Sequence, residues 1–221
     1  MKSKLSVICT PIGNLQDLSN RAIDVLKKSE IIFSESQKLV KILIKEAIIE
    51  TTKTIISCSC SKEKQNVNLL LQALSSKMQT CLISDAGAPT INDPGSILIK
   101  ETLKAGHLVE VIPGPNAIIT SIIGSGLTIS RFSFLGFLPK KGLYRTQLIL
   151  HSYKLGLSLI IFESPKRIFN TLKELYILLG PRKIVIAREL TKYFETYHRG
   201  ILGSVFSPPL LSKGELTIIV E

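Results

Sequence analysis

The stretch Ser84-Asp85-Ala86-Gly87-Ala88-Pro89-Thr90-Ile91-Asn92-Asp93-Pro94-Gly95 decides the fold. It follows the apolar run 80–84, which predicts a buried strand, and it precedes residues 96–105, which predict a helix. In an open parallel sheet such a loop faces the crevice outside the carboxyl ends of the strands, where ligands bind. Gly lets a backbone approach a ligand closely and Pro fixes the loop around it. The 84–95 loop therefore predicts a small-molecule site.

Two further loops of this kind follow predicted strands. They are Thr10-Pro11-Ile12-Gly13-Asn14 and Pro113-Gly114-Pro115-Asn116-Ala117. Loops that follow parallel strands lie at one edge of a sheet, so the three can converge. Their glycines form neither G-x-G-x-x-G nor G-x-x-x-x-G-K, so the nucleotide sites typical of those motifs are not indicated. From the residues alone the ligand stays open, and ordinary turns are the alternative.

Strands and helices alternate through the first half of the chain. Predicted strands cover residues 5–9, 30–34, 54–57, 80–84 and 108–112, and predicted helices cover 18–28, 39–45, 66–76, 96–105 and 117–125. This alternation predicts a parallel sheet with helices on both faces.

The second half has a different pattern. It predicts strands at 132–137, 158–162, 183–188 and 215–221, a helix at 167–179 and weak structure at 200–206. We expect a mixed α/β sheet with antiparallel pairs there. The predicted domains are 1–126 and 127–221.

The charge is concentrated in the second half. The 221 residues carry a net charge of +11, and residues 111–221 hold 14 Lys and Arg against 6 Asp and Glu, a net of +8. Such an excess favours a polyanionic partner, although general solubility is an alternative explanation.

The chain also gives expectations for metals and compartment. No His/Cys set accompanies the four cysteines Cys9, Cys58, Cys60 and Cys81, so we expect no metal site. No apolar run approaches the roughly 20 residues of a membrane span, and the N-terminus has no signal-peptide pattern. A cytoplasmic protein without membrane contact is expected.

Several motifs occur in order along the chain. They are Thr10-Pro11-Ile12-Gly13-Asn14-Leu15, the 84–95 loop, Pro113-Gly114-Pro115, Gly136-Phe137-Leu138-Pro139, Glu163-Ser164-Pro165, Ala187-Arg188-Glu189-Leu190-Thr191-Lys192 and Lys213-Gly214-Glu215. Together they resemble the tetrapyrrole-methylase superfamily, in the branch that methylates small-subunit ribosomal RNA. The resemblance covers nearly the whole chain.

This resemblance implies an enzyme that transfers the methyl group of S-adenosylmethionine to the 2′-hydroxyl of a cytidine in 16S ribosomal RNA. It implies two α/β domains with the cofactor in the cleft between them, usually in a homodimer, and 16S ribosomal RNA or the small ribosomal subunit as partner. By position, the implied cofactor contacts are Pro11, Asp85, Ala86, Gly87, Thr90, Asn116, Ala117, Glu163 and Leu190.

A hydroxyl is a poor nucleophile, so a base or a charge-stabilising group is expected. The candidates are Glu163, Glu189, Asp93 and Lys166. Alternatively, Glu163 and Glu189 pair with Arg167 and Arg188, and Asp93 caps the helix at Ser96.

The basic residues of the second half are the expected RNA contacts. They are Lys140, Lys141, Arg145, Lys166 and Arg167, and Tyr144 adds a ring suited to base stacking. A solvated surface cluster is the alternative for each group.

Two departures from the family pattern keep other interpretations open. Ser57-Cys58-Ser59-Cys60-Ser61-Lys62-Glu63 stands where the family has a segment with Tyr and His, and Lys166 replaces a His. The alternatives are methylation of a tetrapyrrole or other small molecule, and a degenerate member that binds RNA or cofactor without catalysis. The basic second half favours RNA.

Overall fold

A computed structural model describes residues 3–204 and 213–221. The chain divides into two compact units, Met1–Asn116 and Ala117–Glu221. The boundary predicted from the sequence lies ten residues later, after residue 126. The difference concerns one helix, residues 117–125, whose Ile118 is buried together with Ile160, Val185 and Ile219 of the second unit.

The first unit is a five-stranded parallel sheet flanked by helices. Its strands are β1 (Lys4–Ile8), β2 (Ile31–Ser34), β3 (Thr54–Ser57), β4 (Thr80–Ile83) and β5 (Leu108–Ile112), in the order β3-β2-β4-β1-β5. Its helices are α1 (Asn20–Lys28), α2 (Gln37–Lys45), α3 (Val67–Ser75) and α4 (Ser96–Lys104). The predicted parallel α/β fold is confirmed.

Alternating side chains of the central strands supply both faces of this sheet. Ile32 is buried with Leu26 of α1 and Leu43 of α2. The next residue, Phe33, is buried on the opposite face with Leu70 of α3. Since successive strand residues point to opposite faces, a strand that is apolar throughout requires helices on both.

The second unit is a mixed sheet. Its elements are α5 (Ala117–Ser125), β6 (Phe132–Phe137), α6 (Leu143–Lys154), β7 (Ser158–Glu163), α7 (Ile168–Leu179), β8 (Lys183–Arg188), β9 (Thr196–Ile201) and β10 (Leu216–Val220). The order is β6-β7-β10-β8-β9, with β6 and β7 parallel and the other pairs antiparallel. The predicted mixed sheet is confirmed.

The sequence pattern did not predict α6 or most of β9. For the predicted weak structure at 200–206, Gly200 and Ile201 belong to β9, whereas residues 205 and 206 lie outside the described residues. In the part of the chain that the structure describes, no helix is both long and apolar enough to cross a bilayer. Nor do residues 3–204 and 213–221 contain a group of three or more His, Cys, Asp or Glu suited to hold a metal.

Candidate functional site

Three loops interlock at the carboxyl edge of the first sheet, where β4, β1 and β5 are neighbours. Thr10 and Gly87 exchange two backbone hydrogen bonds, with N–O distances of 2.8 and 3.0 Å. The Thr10 hydroxyl also donates to the carbonyl of Ser84 at 3.1 Å. The loop after β1 is therefore fixed to the 84–95 loop.

Two glycines allow this close packing. Gly87 has φ +78°, and a Cβ there would lie 3.3 Å from Cγ2 of Ile12. A Cβ on Gly114 would lie 3.1 Å from the carbonyl oxygen of Cys9, so the third loop packs against the first. The predicted convergence of the three loops is therefore observed.

The 84–95 loop has an unusual backbone. Thr90 and Asn92 adopt φ of 75° and 63°, in the left-handed region that residues other than glycine rarely occupy. For a β-branched residue such as Thr90 this conformation is costly, and it persists only where the surroundings impose it. A hydrogen bond from the Thr90 amide to the Pro94 carbonyl, 3.3 Å long, helps to hold it.

Three carboxyl groups interact in this region: Glu35 follows β2, Asp85 follows β4, and Asp93 lies further along the 84–95 loop. The Ser36 hydroxyl contacts both oxygens of Asp85, at 2.8 and 2.7 Å, and the Asp85 amide donates to Glu35 Oε2 at 3.2 Å. Burial and then the charge of Glu35 raise the pKa of Asp93 to about 6, with a smaller contribution from Asp85 and against a hydrogen bond with Ser84. Because like charges repel, this cluster favours a positively charged ligand.

Glu63, which the sequence did not place in the site, binds the chain directly after the 84–95 loop. Glu63 is 3% exposed, and its Oε1 accepts hydrogen bonds from the amides of Ile97 at 2.5 Å and Leu98 at 3.0 Å. It therefore caps α4 directly after the loop ends at Gly95. The alternative role of Asp93 as the cap of α4 is not observed, since Gly95 is the N-cap residue and makes no side-chain cap.

In the second unit Glu163 is fully engaged by its neighbours. Its Oε2 accepts from the Thr171 hydroxyl at 2.6 Å, and its Oε1 accepts from the Ser164 amide at 2.8 Å. The ion pair with Arg167, the alternative expected from the sequence, is present, with Nε and Oε1 3.3 Å apart. The carboxylate is buried, so these partners hold it in one position.

Glu189 is paired with Lys192 at 3.1 Å, and not with Arg188, the alternative partner expected from the sequence. Its Oε1 also accepts from the Glu215 amide at 2.9 Å. Burial opposes ionisation, but these two hydrogen bonds and nearby positive charge outweigh it and lower the pKa of Glu189. Lys166, the fourth candidate, is exposed.

The five predicted RNA contacts divide into two groups. Arg145 is 5% exposed and donates to Glu174, Thr171 and the Pro139 carbonyl, at 2.5, 2.9 and 2.8 Å. Arg167 donates to the Leu138 carbonyl at 2.7 Å. These two arginines anchor the turn after β6 from within.

The remaining three, Lys140, Lys141 and Lys166, are exposed. The anchored turn therefore presents the Lys140 and Lys141 ammonium groups to solvent.

The predicted cofactor residues divide between the units. The interlocked loops of the first unit bring together Pro11, Asp85, Ala86, Gly87 and Thr90, and Asn116 ends the third loop. Ala117 begins α5, Glu163 ends β7 and Leu190 follows β8, all in the second unit.

The chain is similar to known methylases along its whole length. Residues 4–205 match the family of tetrapyrrole (corrin/porphyrin) methylases. The ribosomal RNA small subunit methyltransferase I of Hydrogenobaculum sp. (strain Y04AAS1) is 39% identical over 221 residues, covering 99% of this chain and 95% of the relative. The protein of that name from Thermotoga maritima is 33% identical, covering 99% and 98%.

Solved structures share the fold. The methyltransferase CobJ superimposes with a TM-score of 0.74 at 14% identity, covering 99% of this chain and 93% of that one. Uroporphyrin-III C-methyl transferase from Thermus thermophilus, complexed with S-adenyl homocysteine, gives 0.66 at 19% identity, covering 99% and 97%. The chain belongs to the tetrapyrrole (corrin/porphyrin) methylase family and, within it, to the ribosomal RNA small subunit methyltransferase I group.

Proposed function

We propose that the protein is an S-adenosylmethionine-dependent methyltransferase that methylates the 2′-hydroxyl of a cytidine in 16S ribosomal RNA. The names of its relatives give the reaction class and the RNA. The observation that carries the proposal for this chain is the set of three interlocked loops, with a cluster of carboxyl groups beside them.

These loops fit the cofactor. S-adenosylmethionine carries a sulfonium and an ammonium group, and Glu35, Asp85 and Asp93 supply the negative charge that stabilises such cations. Gly87 and Gly114 let the loops pack closely against one another. Ala86 and Gly114 are exposed beside these contacts, and their backbone can bind the polar edges of a ligand. In this proposal Pro11, Asp85, Ala86, Gly87, Thr90 and Asn116 hold the cofactor from the first unit, and Ala117, Glu163 and Leu190 hold it from the second.

The bound cofactor supplies a methyl group that is already activated on a sulfonium sulfur. Transfer would form the bond from the 2′-oxygen to the methyl carbon and break the carbon–sulfur bond, so the residues of this chain would have to hold these atoms in line and take up the hydroxyl proton. Alignment of these atoms is worth up to roughly 7–11 kcal/mol in favourable systems, so rigid loops contribute directly to the rate.

Asp93 is the base that we favour. A pKa of about 6 leaves it mostly ionised near neutral pH yet able to take a proton. Both oxygens of Glu163 and Oε1 of Glu189 accept hydrogen bonds from protein donors. Lys166 is exposed and suits RNA contact better.

The turn after β6 is the proposed RNA contact. Lys140 and Lys141 are exposed there, and the rings of Phe137 and Tyr144 flank them with more than half of each side chain in solvent. Arg145 and Arg167 hold this turn through the carbonyls of Leu138 and Pro139, so that its lysines meet the RNA in a fixed arrangement.

We further propose a homodimer as the working form, and the cytoplasm as the compartment because ribosomal RNA is found there. Light scattering after size exclusion tests the dimer.

The decisive experiment incubates the protein with labelled S-adenosylmethionine and small ribosomal subunits from a strain that lacks the endogenous enzyme. The expected result is label in 16S ribosomal RNA that maps to the 2′-oxygen of one cytidine. Cofactor binding without labelled RNA would overturn the proposal. A matched reaction with a tetrapyrrole acceptor would then separate small-molecule methylation from loss of catalysis.

A further inference from the structure

The turn between β8 and β9 carries two exposed aromatic side chains that no part of the proposed chemistry uses. Tyr193 is 94% exposed and Phe194 is 66% exposed. Their ring centroids lie 4.9 Å apart with the planes at 89°, an edge-to-face pair. We propose that this pair is a stacking platform for unpaired bases of the RNA substrate, an inference that rests on the proposed function.

Hydrogen bonds within the turn fix its backbone, and both rings extend from this backbone into solvent. The Lys192 amide donates to the Glu189 carbonyl at 3.0 Å, and the Glu195 amide donates to the Lys192 carbonyl at 3.1 Å. The Thr191 amide donates to Glu195 Oε2 at 2.5 Å. A platform that is already ordered loses little conformational entropy when a base stacks on it.

The backbone of the turn is strained, which is typical of functional segments. Glu189 and Thr191 have φ of 51° and 62°, although neither is glycine. Thr191 Oγ1 is buried, and among the described residues it is the one buried side-chain oxygen or nitrogen without a hydrogen-bond partner. In this strained conformation the turn holds the side chains of Tyr193 and Phe194 in solvent.

A positive charge lies at the base of the platform. The Arg188 guanidinium donates to the carbonyls of Phe194 and Lys213, at 3.3 and 2.9 Å. Among the described residues it forms no salt bridge, although its charge also acts on the neighbouring Glu189 carboxylate. A cation beside exposed rings is the combination that binds single-stranded nucleic acid through phosphate and base together.

The size of the apolar surface favours a base over a second copy of this chain. Within the turn itself, residues 189–195, Tyr193 and Phe194 are the large apolar side chains that are exposed. Two aromatic side chains offer about 150–250 Å² each, whereas a standard protein interface buries about 800 Å² per partner. The net charge of +8 in residues 111–221 also suits RNA better than a like-charged copy.

The test compares the double variant Tyr193→Ala/Phe194→Ala with wild type and with Tyr193→Phe/Phe194→Tyr, which keeps both rings. Ile177→Ala is the matched control, because Ile177 is an apolar residue of the same unit that is about as exposed as Phe194. The measurements are the Kd for 16S ribosomal RNA with S-adenosylhomocysteine present, the Kd for S-adenosylmethionine, and the mass in solution.

We expect the double Ala variant to bind RNA roughly 10-fold or more weakly, as loss of base stacking predicts, with cofactor affinity and mass unchanged. The ring-keeping variant and Ile177→Ala should match wild type. Unchanged RNA affinity overturns the platform, and a change of mass with RNA affinity intact assigns the pair to a protein interface. Because binding is measured without turnover, RNA that binds but is not methylated contradicts the proposed function and leaves this comparison valid.

Discussion

Oε1 of Glu63 accepts a hydrogen bond from the backbone amide of Leu98 at 3.0 Å. The two residues are 35 positions apart, and the contact joins the segment after β3 to the first turn of α4. Since α4 begins where the 84–95 loop ends, a carboxylate after one strand fixes the loop that follows another. These hydrogen bonds explain why the Glu63 carboxylate is buried.

Glu63→Ala should therefore weaken both the fold and the cofactor site. Loss of a helix cap costs about 1–2 kcal/mol of folding free energy. If this loss also loosens the 84–95 loop, the Kd for S-adenosylmethionine should rise by up to about 10-fold. Thermal unfolding and calorimetric titration measure the two effects. Glu101→Ala removes a partly exposed partner of Lys104 on the same helix and should change both by little. Equal effects of the two substitutions would contradict this role for Glu63.

Substitutions at Gly87 and Gly106 distinguish the effect of backbone strain from the effect of a side chain inside the cofactor loop. Both have φ near +78°, but a Cβ on Gly87 meets Ile12 at 3.3 Å, whereas one on Gly106 meets nothing within 4 Å. Alanine at either site should destabilise the fold by about 1–2 kcal/mol, because a side chain resists the left-handed conformation. Only Gly87→Ala should weaken binding of S-adenosylmethionine, and Gly87→Val should abolish it in a folded protein. Unchanged affinity in both Gly87 variants would remove the cofactor from this loop.

The sequence predicted the elements whose signals are local. An apolar strand such as Ile31–Ser34 and the Gly/Pro loops that follow strands are visible in a few consecutive residues. The helix Leu143–Lys154 has no clear apolar face in its sequence, and its first turn reads as a cationic loop. The strand Thr196–Ile201 is polar and lies at the sheet edge, so its pairing with β8 rather than its composition defines it.

Apart from the local pair of Glu163 with Arg167, the sequence could not assign the partners of charged side chains. Arg145 reads as an RNA contact because it follows two lysines, yet α7 supplies Thr171 and Glu174 to bind it. Glu63 has no local signal at all, because its partners are 34 and 35 residues away. Contacts of this range depend on the packing of whole elements, which periodicity and spacing do not encode.

Asp93 should make cofactor affinity depend on pH. Its pKa is raised to about 6, and a nearby sulfonium favours the ionised carboxylate, so binding should weaken as the pH falls through 6. S-adenosylhomocysteine has no charge on sulfur and should show a smaller dependence. Titrations at pH 5 to 8 measure both ligands, and Asp93→Asn should remove the difference between them. A difference that persists in Asp93→Asn would place the responsible group elsewhere.

Asp93 should also make the protein less stable as the pH rises, which is the opposite of the effect of a carboxyl group whose pKa is lowered by folding. A pKa above the unfolded value means that the folded state binds protons more tightly, so stability falls as the pH rises from about 4 to about 6. Asp93→Asn should therefore raise the free energy of unfolding at pH 7.5 by on the order of 1 kcal/mol after solvent screening, which a higher Tm would report. It should have no such effect at pH 4. A lower Tm at pH 7.5 would show that the ionised group stabilises the fold.

Substitution of the lysines in the turn after β6 and of Arg145, which anchors that turn from α6, should have different effects. Lys140 and Lys141 are exposed, so Lys140→Ala/Lys141→Ala should leave the Tm unchanged and reduce the salt dependence of RNA binding, with a slope smaller by about 1 for each phosphate that the variant no longer binds. Arg145→Ala should lower stability by about 3–5 kcal/mol, because Glu174 and Thr171 lose a buried partner. Salt titrations of RNA binding and thermal unfolding distinguish these outcomes. If the double Lys variant keeps the wild-type salt slope, the RNA backbone does not bind this turn, and the exposed lysines serve only as a solvated surface.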